Sequence, residues 1–381
     1  MQISRIDDMH QFDQLKTAWE AVYSADPHAN IFASWTWLRG WFEIAPSSWF
    51  VLAIQPDKES SYVAFLPLIM RGLRIYKFSP IRVLHMGGAP LAFYTGLICL
   101  PEYEEEALAA FALYVQHQLG WDSFQMEQVL DPRLDLFLRY FPCEKFNVQK
   151  SHGMPSLYIP LPDSWDRYLR DLLGSKKRRN LRRSFRQVEG HNEYRITYTQ
   201  ADTVGRDIEV LLKLWQRRWG PKPMAHWHRD ILHHFFENNA LWLSVLWDGT
   251  TPVAARAGII DRQKKTFYAY VICYDAKYAK LSPGRAMVGY SIRYAIESGF
   301  QAYDFLVGAD DHKFAFGARQ RGTKNVIIAR RGLRSTVANL VVNLTGQLSD
   351  LLVKILGKVK RIEMVKQIWF WLSDLVKQVK R

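Results

Sequence analysis

The stretch VICYDAKYAKLSPGRAMVGYSIRYAIESG, residues 271–299, decides how the chain is read. It opens as the end of an apolar strand, passes through a loop containing Lys280, Ser282, Pro283 and Gly284, and continues as a helix over 284–298. Val288, Ile292, Ala295 and Ile296 recur at helical spacing on one face, and Gly299 supplies the stop. A strand that runs into a helix this way presents unpaired backbone N–H groups and the positive end of the helix dipole, which together hold a phosphate. Gly284 permits close approach of a ligand, Pro283 fixes the entry, and Lys280 and Arg285 add charge. The same letters also describe an ordinary turn, with Ser282 as N-cap and Pro283 in the first helical position.

Upstream, helical patterns cover about 164–187, 203–219 and 228–238, and three strand-like runs follow: LWLSVLWD, PVAARAGIID and KTFYAYVICY. Asp248-Gly249 marks a hairpin turn between the first two. Downstream, AYDFLVG is a fourth strand, and YDFLVGADDHKFAFGA (303–318) gathers the titratable groups. Asp304 sits in an otherwise apolar strand, so it is either partnered by loop amides or a general base of raised pKa. His312 accepts a proton near neutral pH, and Asp310, Asp311 and Lys313 lie beside it, although a loop this polar also reads as solvated surface.

A basic run, SKKRRNLRRSFRQ (175–187), starts a helix with Ser175 as N-cap and cations in its first turn, against the helix dipole. Lys176, Arg179, Asn180, Arg183 and Gln187 share a face. That conflict points to a bound anion; the alternative is a solvated basic helix. No common single-domain RNA-recognition motif accompanies it.

The first 155 residues repeat the alternation of helix and strand. Helices are expected over Met9–Tyr23, Ser34–Phe42 and Glu102–Leu119, with strands at WFVLAIQP, SYVAFLPLIM, TGLICLP and WDSFQMEQV. Pro155, Pro160 and Pro162 mark the boundary, so the expected domains are 1–155 and 156–332, followed by a tail over 333–381. The tail lacks proline and carries an apolar stripe from Val337 to Val379 opposite Lys354, Lys358, Lys360, Arg361, Lys377 and Lys380. Packing on the body and self-association both suit such a stripe. Trp369, Phe370 and Trp371 with the opposing lysines favour an anionic membrane surface.

At 381 residues the chain exceeds one ordinary core. A net charge of +14 implies anionic partners: phosphates, nucleic acid or acidic lipid. Cys99, Cys143 and Cys273 form no CxxC or Cys/His pair, which excludes a disulfide scaffold, a zinc site and a covalent Cys/His mechanism. No signal peptide is legible and no apolar segment reaches about 18 residues, so a cytoplasmic protein is expected, peripheral to the inner membrane if the tail binds lipid.

Taken in order, SKKRRNLRR (175–183), LSPGRAM (281–287), AIESGFQAYDFLVG (295–308) and HKFAFGA (312–318) resemble the GNAT-superfamily acetyltransferases of the CelD-like, cellulose-biosynthesis-associated group, relatives of the FemAB-type transferases. The resemblance spans about 1–331. It implies an α/β chain of two tandem GNAT-like domains, each a mixed sheet flanked by helices, and acetyl-CoA or another acyl-CoA as co-substrate without a metal. Lys280–Ala286, with Ser282, Gly284 and Arg285, matches the pyrophosphate turn, and Lys176, Arg179 and Arg183 add to donor binding. Asp304, Gly308 and Lys313 match the family's strand-end Asp-Phe-Leu-x-Gly and following Lys. His312-Lys313 and Phe316 stand where the family carries Tyr-Lys and Trp.

In the reaction so implied, an amine attacks a thioester directly. Amides of the strand Phe267–Tyr274 polarise the carbonyl, Asp304 or His312 takes the amine proton, and Tyr268, Tyr270 or Tyr274 protonates the thiolate. The resemblance points to an amino sugar or exopolysaccharide precursor as acceptor. Two other readings are an aminoacyl-tRNA-dependent transferase, motivated by the basic helix, and a scaffold that binds anions or membrane without catalysis.

Overall fold

The computed structural model describes residues 1–44, 48–73, 81–190, 193–220 and 225–332. The tail helix expected over 333–381, with its membrane contact, lies outside them. Among the described residues no helix is long and apolar enough to cross a membrane.

The chain begins with β1 (Gln2–Ile6), α1 (Met9–Gln14), α2 (Lys16–Ala25), α3 (Trp35–Ile44), β2 (Ser48–Gln55), β3 (Ala64–Leu73), β4 (Ile81–Met86) and β5 (Ile98–Cys99). There follow α4 (Glu104–His117), β6 (Ser123–Val129), α5 (Leu134–Leu138) and β7 (Phe146–His152). A second unit, Pro155–Arg321, contains β8 (Ser156–Pro160), α6 (Trp165–Arg167), α7 (Ser175–Glu189), β9 (Tyr194–Tyr198), α8 (Val204–Trp219) and α9 (Ala225–Glu237). It continues with β10 (Leu241–Asp248), β11 (Thr251–Asp261), β12 (Thr266–Tyr274), α10 (Pro283–Glu297), β13 (Ala302–Val307), α11 (Asp311–Phe314) and β14 (Arg319–Arg321). A last strand, β15 (Lys324–Arg330), returns to the first unit.

The first sheet has the order β1-β2-β3-β4-β6-β15-β7, with β5 on β3; the second runs β9-β10-β11-β12-β13-β8-β14. Neighbours are antiparallel except β4–β6 and β12–β13. A parallel pair needs a crossover, and a helix supplies it each time. Ala107, Leu108, Phe111, Ala112 and Val115 of α4 pack on Phe50, Leu52, Leu66 and Leu84. Met287, Ile292, Ala295 and Ile296 of α10 pack on Ala254, Phe267 and Tyr303. The molecule is therefore an α/β protein of two mixed sheets, the fold class read from the sequence.

Several boundaries differ from the sequence reading. The helix expected over Met9–Tyr23 is two helices that meet at Leu15. The helical stretch 164–187 breaks at Leu173–Gly174, and Gly174, not Ser175, is the N-cap of α7. The second unit was expected to extend to 332, whereas β15 pairs with β6 and β7 in the first sheet. Its alternating Val326 and Ile328 are buried in the first core, a partnership that local pattern does not specify.

Candidate functional site

The parallel ladder between β12 and β13 covers only Thr266↔Ala302, Phe267↔Tyr303 and Tyr268↔Asp304, although β12 stays paired with β11 as far as Tyr274↔Ala254. Two irregularities open it. Ala257 pairs with Val271 and Ile259 with Tyr268, so Ala269 and Tyr270 together face Gly258: a β-bulge in β12. Gly258 has to be glycine, because a Cβ there would lie 2.1 Å from the Phe267 ring. On the other strand the pairing of β13 with β8 shifts between Asp304 and Val307, and Leu306 takes a positive φ of 63°. Past Tyr268 the β13-facing edge of β12 thus has no strand partner among the described residues. A strand edge of this kind is where an extended ligand pairs with backbone.

Asp304 holds the second irregularity in place. It is 1% exposed; Oδ1 accepts the Leu306 N–H at 2.7 Å, and Oδ2 pairs with the Arg321 guanidinium on β14. Lys313 holds the strand end from the other direction. Its buried Nζ donates to the Gly308 carbonyl at 2.8 Å, more weakly to those of Phe305 and Val307, and lies 3.3 Å from Asp310. Burial lowers the Lys313 pKa, opposed by Asp310. His312 points to solvent on α11, and desolvation by the surrounding protein, followed by Lys313, Arg256 and Arg218 against the pull of Asp310, places its pKa below the usual imidazole value. At neutral pH it is an uncharged ring able to take a proton.

Beyond β12, α10 begins with Pro283 in its first turn and no acidic residue there. Ser282 is left-handed, with φ 54° and ψ 44°, and its hydroxyl makes no capping bond, unlike the N-cap of the ordinary-turn reading. The Arg285 and Ala286 N–H groups both donate to the Ser282 carbonyl, so the Gly284 N–H is left without an acceptor among the described residues. A Cβ on Gly284 would touch the Tyr274 ring at 3.4 Å. Lys280 and Arg285 are exposed, Ala286 is buried, and the Arg218 guanidinium lies 4.3 Å over the Tyr274 ring. The loop therefore brings together Lys280, Ser282, Gly284 and Arg285, while Ala286 serves packing.

The basic helix α7 lies against α10, where Phe185 stacks on Tyr290 at 4.4 Å. Leu181, Ser184, Phe185 and Val188 form its buried face. Lys176, Arg179, Arg182, Arg183 and Arg186 are exposed, and none pairs with an acid among the described residues. Elsewhere Arg167, Arg206, Arg229 and Arg293 each sit beside a carboxylate. An open groove runs along the helix, lined by Ser175, Arg178, Arg179, Arg182, Phe185, Arg186 and Glu189. Of the three α7 residues expected to bind donor, Arg179 lines this groove and Lys176 and Arg183 do not.

Tyr270, the bulge residue, is 7% exposed, and its hydroxyl lies 2.9 Å from Nδ1 of His228 on α9. Trp215 of α8 meets the His228 ring edge-on at 4.9 Å. Sequence reasoning passed over His228. AHWHRD offers two histidines on an amphipathic helix, with nothing local to single out the one that reaches Tyr270, 42 residues away.

Residues 175–314 match the family model described as an acetyltransferase (GNAT) domain. The structure is similar to that of FemX, with a TM-score of 0.60 at 12% identity, covering 86% of this chain and 97% of that one. It is also similar to L-PGS from Bacillus licheniformis, with a TM-score of 0.54 at 13% identity, covering 88% and 96%. No curated protein matches the sequence. The matched segment runs from α7 to α11, the part of the second unit that contains the strand opening and the α10 loop.

Proposed function

We propose that the second unit transfers an acyl group, acetyl first among them, from acyl-CoA to a primary amine. The observation that carries this reading is the early end of the β12–β13 ladder beside a helix start that is cationic and free of acids. A thioester with a long neutral arm and a pyrophosphate needs both: exposed strand amides to bond the arm and polarise the carbonyl, and a positive helix end for the phosphates. Lys280, Ser282, Gly284 and Arg285 bind the pyrophosphate. Arg179, with the neighbouring cations of α7, receives the outer phosphate.

Asp304, expected as a base, has both oxygens engaged and serves better as the group that bends β13. Lys313 fixes the strand end. Tyr270 stands at the opening as the proton donor to the leaving thiolate, and His312, expected as a base, is an exposed ring on α11 whose pKa is lowered by desolvation. The likeness to cellulose-associated acetyltransferases favours an amino sugar of an envelope or exopolysaccharide precursor as acceptor.

Calorimetry with acetyl-CoA tests the donor. Binding is expected, and Gly284→Asp should weaken it about 100-fold, equivalent to about 2.7 kcal/mol. Equal heats from both proteins would remove the α10 loop from the site.

A second reading has its own support. The fold is similar to that of FemX, the sequence motifs resemble those of relatives of the FemAB-type transferases, and the arginines of α7, which pair with no acid among the described residues, suit a polyanion, so an aminoacyl-tRNA donor fits the same unit. Its mark is tRNA affinity that falls steeply with salt through counterion release. Protein that fails to shift tRNA at low salt excludes it.

A further inference from the structure

We propose that His228 and Tyr270 form the proton-transfer pair of this site, with Tyr270 touching the reacting atoms and His228 acting through it. The inference rests on the acyl-transfer reading above. Three observations support it. Tyr270 lies two residues beyond Tyr268, the last β12 residue paired with β13, so its backbone borders the opening. It is one of the two residues that share the bulge opposite Gly258, and a bulge re-aims the side chain it carries. Its hydroxyl is 2.9 Å from His228 Nδ1, and His228 comes from α9, while α10, which the phosphate loop leads into, packs with Phe267 and Tyr303 on the sheet's other face. The donor's phosphates and the proton pair thus approach the opening from opposite faces, leaving the α8–α9 side to the amine.

With His228 protonated at Nε2, its Nδ1 accepts from the Tyr270 hydroxyl. During transfer the amine nitrogen bonds to the thioester carbonyl carbon, the C–S bond breaks, and its electron pair leaves on sulfur. The proton lost by nitrogen passes to Tyr270 Oη as Tyr270 gives its own proton to His228 Nδ1. The imidazolium then returns a proton through the phenol to the thiolate, which leaves as the thiol. One proton leaves nitrogen and one reaches sulfur, so the pair ends as it began. Neither Asp304, tied to Leu306 and Arg321, nor His312 on the solvent-facing α11 has a comparable link to β12.

The experiment uses the full chain with acetyl-CoA as donor and glucosamine or hydroxylamine as amine probe, following thiol release. Tyr270→Phe and His228→Gln are each expected to lower kcat by about 10²- to 10³-fold. Acetyl-CoA affinity by calorimetry and the thermal melt should stay unchanged. In His228→Gly, added imidazole should restore turnover, which a purely structural histidine would not allow. Full kcat in either substitution overturns the proposal, and so does a His228→Gly enzyme that stays slow in imidazole while binding acetyl-CoA normally. A wild-type protein that gives no heat with acetyl-CoA overturns the acyl-CoA reading first and the pair with it. The two failures are therefore told apart.

Discussion

In the first unit β4 and β6 lie parallel from Val83↔Ser123 to His85↔Gln125, and the chain leaving β4 doubles back to fill the space past them. Thr95 makes a parallel bridge to Val129, its N–H donates to the Gln128 carbonyl, and its hydroxyl bonds the Glu127 carbonyl. In the second unit β12 and β13 part at Tyr268 and Asp304, and no returning segment among the described residues takes that place. The crossover helices differ in the same sense. Glu104, Glu105 and Glu106 occupy the first turn of α4, where a phosphate would meet three carboxylates, whereas α10 starts with Pro283, Gly284 and Arg285. The proposed donor thus finds an open ladder and an acid-free helix start in the second unit and neither in the first.

The buried arginines differ likewise. Arg133 in the first unit is 4% exposed at its side chain and pairs with Asp26 and Asp131, with Glu104 farther off. Arg256 in the second is 2% exposed and donates to the neutral Ser291 and Tyr303 hydroxyls, which also bond one another at 2.7 Å. Arg133→Met would strand buried carboxylates and should cost about 3–5 kcal/mol. Arg256→Met leaves a satisfied hydroxyl pair and should cost about 1 kcal/mol. Urea midpoints check both, and a reversed order would break the comparison.

A smaller effect concerns pH. Because desolvation first, then Lys313 and the nearby arginines, hold the folded His312 below 6.5, the unfolded chain takes up that proton more readily. The stability contribution of His312 is full above pH 6.5 and is lost as pH falls toward its folded pKa. Denaturant titrations at neutral and mildly acid pH should differ less in His312→Gln than in the wild type. A variant with unchanged pH dependence would mean the ring is freely solvated.

The smallest change is expected where β15 joins the first sheet. Asp135 accepts from Lys150 of β7 and Lys324 of β15 at 2.7 Å each, and these two bonds bring its pKa down to about 2. What the pair contributes is present above the ordinary carboxylate value of 3.8 and fades as pH falls from there toward about 2. The groups are half exposed, so Asp135→Asn should cost less than about 1 kcal/mol at neutral pH and lose even that at high salt. A larger, salt-independent loss in a chemical melt would show that β15 depends on this contact.

How much was legible follows the range of the forces involved. The strands LWLSVLWD and KTFYAYVICY, the hairpin at Asp248-Gly249, the stop at Gly299 and the unusual charge of α7 are local signals, set by side-chain period, turn chemistry and the helix dipole. They fixed two α/β units and directed attention to the strand–loop–helix join at Ser282–Arg285. Tertiary structure decided what each titratable group became. Asp304 reads alone as a buried acid, and only the fold brings Arg321 onto it. Tyr270 is one of three tyrosines in a strand until the bulge opposite Gly258 and His228 of α9 separate it from the others. The strand β15 reads as the end of the second unit, yet it pairs with β6 and β7 from the first. The physical reason is common to all three. Backbone preference and period are properties of neighbours in sequence, whereas a proton's affinity, an ion pair and a sheet partner depend on what burial brings within a few ångströms.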